Sequence, residues 1–422
     1  MMLENPKSTV NKINSSLKNN PRIAFLMGYF PFFTEAYRLD QYIGLVEKGY
    51  DVSVFAWNKP EEVCTDGEVR KYRILEKTHY YNFNRKRTIK DLLNILVQGI
   101  KNYVKAEKAF KEYWELSNND RSFLNLLYLS TPLLKEKYDI LHVHFGHNGL
   151  RYLPLKFFLE IPFVISFYGK DVTSHSVEEY SLLFQMADAV TVLSDRMGEE
   201  LINLGCPRDK ITKVHVWIHP GFFQGNRILR NEPTTRIFSV GRAVEKKGFA
   251  GLITAVNSLI IKGYDLKLDI LGDGPLLESL KEQVQRTGSE RIKLWGSVDR
   301  KVVCQELEAS DIFVLNACTA SDGDQEGTPT VLMEAGAVGL PVVSTFHTGI
   351  PEVVVHGKTG LLVKENDTQE LARAIETLLN DTNYREQLGA NGKQYIQKHY
   401  SIESQLPTLE NLYHTLAKST KL

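Results

Sequence analysis

Arg236-Ile237-Phe238-Ser239-Val240-Gly241-Arg242-Ala243-Val244-Glu245-Lys246-Lys247-Gly248 decides the fold. A short apolar run ends at a glycine, a charged turn follows, and Phe249 onward takes up helical spacing. That is half of a βαβ unit, the building block of a parallel sheet. Outward from it the pattern repeats, with apolar runs at Leu268 to Leu271, Ile292 to Trp295, Ile312 to Leu315 and Val342 to Ser344. Toward the N-terminus lie Ile23 to Met27, Val52 to Trp57, Ile140 to Val143, Phe163 to Phe167 and Val190 to Leu193. Between the two series the periodicity lapses. The layout predicts an α/β protein of two Rossmann-like, doubly wound parallel-sheet domains, facing a central cleft. The expected boundaries are a disordered tail over 1–20, an N-terminal domain over 21–222, a linker over 223–235, a C-terminal domain over 236–399 and a final helix over 400–422 that returns to the first domain.

Composition agrees with such a protein and excludes others. A chain of 422 residues exceeds what one core usually organises. Its 51 basic residues balance its 51 acidic ones, which argues against nucleic acid as a partner. No apolar run reaches the roughly 18 residues that span a bilayer, and the first residues lack a signal-peptide pattern. A cytoplasmic protein is expected. Cys64, Cys206, Cys304 and Cys318 show no C-x-x-C spacing and are read as small buried hydrophobes.

In open parallel sheets ligands gather beyond the carboxyl ends of the strands. In the first such turn of the second half, Gly241 lets a phosphate approach the backbone, Arg242 offers a fork of donors and Lys247 a point charge. The alternative is a solvated charge cluster. A second loop reads Ser321-Asp-Gly-Asp324-Gln-Glu326-Gly-Thr-Pro329-Thr330-Val331-Leu-Met-Glu334. Proline suits a first helical turn, so a helix is predicted to start near Thr328 or Pro329, with the amides of Thr330 and Val331 free to meet an anion. Glu334 then lies one turn inside, on the face of Thr330. A third loop, His347-Thr348-Gly349-Ile350-Pro351-Glu352, either wraps the same anion or is a plain turn.

Glu326 and Glu334, seven residues between them, together with Gly241-Arg242 and Lys247-Gly248, resemble the retaining glycosyltransferases of family four, of the GT-B arrangement. The Ser321 to Pro329 phrase looks like the branch that builds capsule, colanic-acid or lipopolysaccharide-type polymers. The resemblance implies that Arg242 and Lys247 bind the donor diphosphate, Glu326 contacts the donor sugar, Glu334 holds the ribose and Val298 reads the base through backbone. It implies a UDP- or GDP-sugar donor and a glycan or lipid-linked glycan acceptor, and the charge of Arg242, Lys247 and the helix amides at Thr330 and Val331 predicts that no metal or other cofactor is required. In the first half, Gly28 is expected in a loop facing the phosphates, while Glu35, His144 and Tyr168 are candidate acceptor or sugar contacts. Tyr168 stands where many relatives carry histidine.

Other readings compete. Asp322-Gly-Asp324 superficially resembles a D-x-D metal motif, against a polar loop, and His142 and His144 share a strand face as metal ligands would, against hydrogen-bonded scaffold. A sugar-nucleotide-binding module without turnover and a nucleotide-sugar epimerase remain as alternatives to transfer. A nicotinamide enzyme would need G-x-G-x-x-G after the first strand, which Met27-Gly28-Tyr29-Phe30-Pro31 lacks. Eight basic residues from Arg85 to Lys111, with Leu92, Leu93, Leu96, Ile100 and Tyr103 at helical spacing, predict an amphipathic helix. Its basic face either rests on an anionic membrane, on the inner face of the cell membrane, or merely faces water.

Overall fold

The computed structural model describes residues 20–31, 36–60, 67–81, 89–117, 123–173, 176–218 and 233–419. The chain divides into two compact units, the first Met1–Val192, Gly198–Val214 and Leu406–Leu422, the second Leu193–Met197 and His215–Gln405. The segment read as a linker lies mostly outside the described residues, and Thr235 already opens a strand.

The first unit is built on a seven-stranded sheet ordered β3-β2-β1-β4-β5-β6-β7. Its strands are β1 (Ile23–Tyr29), β2 (Val52–Asn58), β3 (Thr78–Tyr80), β4 (Ile140–His144), β5 (Phe163–Ser166), β6 (Ala189–Val192) and β7 (Ile211–Lys213). Every pairing is parallel. A parallel sheet is covered on both faces, which is why the runs Ile23 to Met27 of β1 and Phe163 to Ile165 of β5 are apolar without alternation and buried throughout. The strand order reverses between β1 and β4. The helix Ile402–Ser419 belongs in part to this unit, where Tyr413 reaches the buried His142 of β4.

The second unit has six parallel strands ordered β10-β9-β8-β11-β12-β13. They are β8 (Thr235–Val240), β9 (Leu266–Leu271), β10 (Ile292–Leu294), β11 (Ile312–Val314), β12 (Val342–Thr345) and β13 (Gly360–Val363). Ile237, Leu268, Ile270, Ile312, Val314 and Val343 from the sheet pack against Phe249, Leu252, Ile253 and Val256 of the helix Phe249–Ile261 and against Leu371 and Ile375 of the helix Thr368–Asn380. Here the order reverses between β8 and β11, so the loops after those two strands flank the crevice where such sheets take ligands. Both units are therefore doubly wound and Rossmann-like. Among the described residues no helix is long and apolar enough to cross a membrane.

Candidate functional site

The loop after β8 is fixed by backbone. Gly241 N–H donates to Leu271 O at 3.0 Å, Ala243 N–H to Asp273 O at 2.9 Å and Gly272 N–H to Gly296 O at 2.8 Å. Three strand ends are thus strapped together, which brings the Gly296 to Val298 stretch alongside Gly241. Two positions around this loop admit only glycine. At Gly272, φ +131°, a Cβ would stand 1.9 Å from Gly241 O, and at Gly248, φ +62°, it would stand 1.7 Å from Asn316 O. Gly248 ends the short turn Glu245–Lys247 and opens the helix Phe249–Ile261, so close docking on the loop after β11 sets where Lys247 points.

Lys247 Nζ donates to Glu326 Oε2 at 2.9 Å, and Lys246 Nζ lies 3.6 Å from Glu326 Oε1. Glu326 is buried, and burial opposes its ionisation. Lys247 and Lys246 outweigh that cost and hold its carboxyl below the ordinary range. Its backbone is gripped as well: Glu326 N–H donates to His347 Nε2 at 3.2 Å, and Thr348 Oγ1 donates to the Glu326 carbonyl. Pro329 caps the helix Thr330–Val338, one residue later than the predicted start, because its extended ψ of 115° places it outside the first turn. Thr330 and Val331 are its first two residues, whose amides have no acceptor within a helix. Glu334 lies one turn in. Burial lifts its carboxyl above the ordinary range, opposed by Arg300, 3.8 Å away, and by Lys247.

Arg242 is exposed, and its guanidinium makes no ion pair among the described residues. The aspartates of the D-x-D phrase are engaged locally, since Lys246 Nζ bonds Asp324 at 3.1 Å and Asp322 Oδ1 accepts from Asp324 N–H at 3.0 Å. Among the described residues no three or more of His, Cys, Asp and Glu are grouped as metal ligands. One site therefore joins a free arginine, two lysines, a helix N-terminus and two carboxyls of opposite tendency.

Residues 35–221 match the model described as Glycosyltransferase Family 4, and residues 224–395 match Glycosyl transferases group 1. The chain is 33% identical over 374 residues to the amylovoran biosynthesis glycosyltransferase AmsK of Erwinia amylovora, across 84% of this chain and 89% of that one. It is 30% identical over 371 residues to WcaL of Escherichia coli K12, a glycosyltransferase assigned to colanic acid biosynthesis, with the same coverage of 84% and 89%. This chain belongs to the family-four glycosyltransferases. Among solved structures, Anabaena HepE in complex with UDP shares the fold of this glycosyltransferase at 17% identity, with a TM-score of 0.68 over 94% of this chain and 100% of that one.

In the first unit of the glycosyltransferase, Gly28 lies inside β1 and not in a loop, because β1 runs on to Tyr29 in register with Asn58 of β2. It is buried, and a Cβ there would stand 3.3 Å from Asn148 Oδ1. His144 and Tyr168 do come together, His144 Nδ1 lying 2.8 Å from the Tyr168 hydroxyl. His142 and His144 stack at 4.6 Å between centroids and are scaffold, His142 Nε2 bonding Ser166 Oγ at 2.7 Å. Glu35 lies outside the described residues. Cys206 and Cys318 are buried and Cys304 half-buried, all three free thiols, while Cys64 lies outside the described residues.

Sequence reading missed four partners. Lys246 was passed over beside Lys247, and Arg300, opposite Glu334, lies in another helix. Glu365, just past β13, accepts from Thr319 N–H at 2.9 Å and bonds His347 Nδ1 at 2.8 Å. Its position beyond a strand's carboxyl end was the available signal. Arg38 is almost wholly buried, donates to Tyr29 O at 3.0 Å and lies 5.3 Å over the Phe145 ring. Burial lowers it to about 10, and no local pattern marks such an arginine.

Proposed function

We propose that this glycosyltransferase takes a sugar from a UDP- or GDP-sugar and passes it, with retention of anomeric configuration and without a metal ion, to a hydroxyl of a glycan or lipid-linked glycan in bacterial surface polysaccharide synthesis. The observation that carries the reading is the Lys247–Glu326 ion pair at 2.9 Å, which ties the loop after β8, with Arg242, to the loop that leads into the helix starting at Thr330. Breaking a glycosyl phosphate bond puts new charge on the departing diphosphate, and preorganised donors must meet it. Arg242, Lys247 and the amides of Thr330 and Val331 supply them. Gly241 leaves room beside the Lys247 stem, since a Cβ there would stand 2.9 Å from its Cε. Val298 backbone faces the base, and Glu334, one turn inside the helix, takes the ribose hydroxyls. Names of relatives agree: HepE is solved with UDP, and AmsK and WcaL are named for polymer biosynthesis.

Both oxygens of Glu326 face lysine ammonium groups, which weakens it as a nucleophile and suits it to accept from a donor-sugar hydroxyl. That favours front-face attack, with the leaving phosphate taking the acceptor's proton. Metal independence rests on the engagement of Asp324 by Lys246 and on the cations already gathered. Tyr168 is assigned to the acceptor, its hydroxyl held by His144 Nδ1 at 2.8 Å. A peripheral position on the cytoplasmic face of the membrane is supported by the helix Ile89–Ser117, which exposes Val97, Ile100 and Val104 beside Lys101, Lys105, Lys108 and Lys111.

Incubation with a panel of UDP-, GDP- and ADP-sugars in excess EDTA tests the reading, with the first-formed product's anomeric configuration followed by proton NMR. Slow hydrolysis of one UDP- or GDP-sugar with retention is expected. Binding without turnover would favour a sugar-nucleotide-binding module, epimerised donor would favour an epimerase, and activity restored only by magnesium or manganese would make Asp322 and Asp324 the leading ligands.

A further inference from the structure

We infer that His347 is a positioning residue for transfer, holding the backbone of Glu326 so that its carboxylate stays aligned on the donor sugar; this rests on the reading of Glu326 given above. Glu326 is held at three points: its carboxylate by Lys247 at 2.9 Å, its N–H by His347 Nε2 at 3.2 Å, and its carbonyl by Thr348 Oγ1. The second and third grips come from consecutive residues of the loop after β12. Because Nε2 accepts from an amide, the proton sits on Nδ1 and is donated to Glu365 Oε1 at 2.8 Å. The other oxygen of Glu365 is taken by Thr319 N–H at 2.9 Å, which fixes the carboxylate and through it the imidazole tautomer. His347 is only 1% exposed. The chain from Thr319 through Glu365 and His347 to Glu326 is therefore shielded from water over its central link.

Thr348 carries independent weight. Its φ of +43° is a left-handed conformation that a β-branched residue rarely adopts, at a cost of order 1–3 kcal/mol. That conformation lets its hydroxyl serve both the Glu326 carbonyl and Gly327 O, the latter at 2.9 Å. A plain turn would place glycine there.

The test uses the full chain and the donor that the wild type turns over. His347→Phe keeps the ring and removes both nitrogens. We expect kcat to fall roughly 10- to 100-fold, the scale of a small misplacement of a reacting group. Donor KM and nucleoside diphosphate affinity should stay within about twofold, because Arg242 and Lys247 are untouched. His347→Gln, whose amide oxygen can accept from Glu326 N–H, should recover most of the lost kcat. If His347→Phe does not fold, Thr348→Val, which drops only the hydroxyl, should show the same selective loss. Wild-type kcat in His347→Phe, equal impairment of the Phe and Gln variants, or nucleotide affinity falling in step with kcat would each overturn the inference. A wild type silent toward every donor would instead remove the reading on which it rests.

Discussion

At Glu326 and Glu334 the same fold treats two carboxyls in opposite ways. Glu326 is buried and Glu334 half-buried, and burial alone would raise both. Two lysines reverse the effect at Glu326, whereas Arg300 at 3.8 Å only softens it at Glu334. Environments that drive two acids apart are a mark of divided roles, one charged contact and one adaptable hydrogen-bonding group. His142 and His144 show the structural counterpart. Burial pushes His142 down to about 3 and His144 well below its usual value, so both stay neutral when folded. The unfolded chain binds those protons below about pH 6.5, so stability should fall as pH drops from about 6.5 toward 3. Thermal unfolding should show a lower midpoint at pH 5.5 than at 7.5, with the difference reduced in His142→Gln; equal midpoints for the wild type would contradict it. Glu326, Glu334 and Lys247 were legible because each sits in a short local pattern. Lys246, Arg300, His347 and Glu365 as partners were not, since the pairs that define them join separate elements, 21 residues apart for Glu326 and His347 and 78 apart for Lys246 and Asp324.

Most interior strands left a readable signature, a continuous apolar run with a turn behind it. The three-residue β3 and β7 lie at the edges of their sheet and carry too few apolar positions to register. β13 escaped notice because Gly360-Leu-Leu-Val is brief and sits between turn residues. The helix Ile89–Ser117 forms where the spacing places one, and the side chains of Leu92, Leu93 and Leu96 lie outside the described residues. Its packed face in the described part is Ala106, Ala109 and Tyr113, and Ile100 and Tyr103, expected on the apolar stripe, are 71% and 52% exposed. Among the described side chains, Ala106, Ala109 and Tyr113 are buried while Val97, Ile100 and Val104 face outward. Val97, Ile100 and Val104 recur at i, i+3 and i+7, one ridge flanked by lysines, as on a helix that lies in a membrane interface. The full chain should co-sediment with vesicles containing anionic lipid at low salt, and Ile100→Ser with Val104→Ser should weaken binding several-fold. No binding to anionic vesicles, or binding indifferent to those two substitutions, would dismiss the ridge as an anchor.

On the scale of the whole molecule, two doubly wound units follow from two series of strand and helix signals, each sheet reversing its order once, between β1 and β4 and between β8 and β11. Such a reversal fixes where loops diverge, and the residues named from sequence cluster there: His144 ends β4, Gly241 follows β8, and the loop with Glu326 follows β11. What the chain's order could not disclose is how strand-end loops are strapped, because Gly272 against Gly241 and Gly248 against Asn316 are contacts of tertiary packing alone. The central claim is that the second unit's strapped loops hold a nucleoside diphosphate through Arg242, Lys247 and Glu334. Isothermal calorimetry with UDP and GDP in EDTA measures this directly on the full chain. One site for one of the two nucleotides is expected, with affinity lowered about tenfold or more in Lys247→Ala and in Glu334→Ala, the scale of losing one charge-assisted contact. No detectable binding of either nucleotide, or unchanged affinity in both variants, would contradict it.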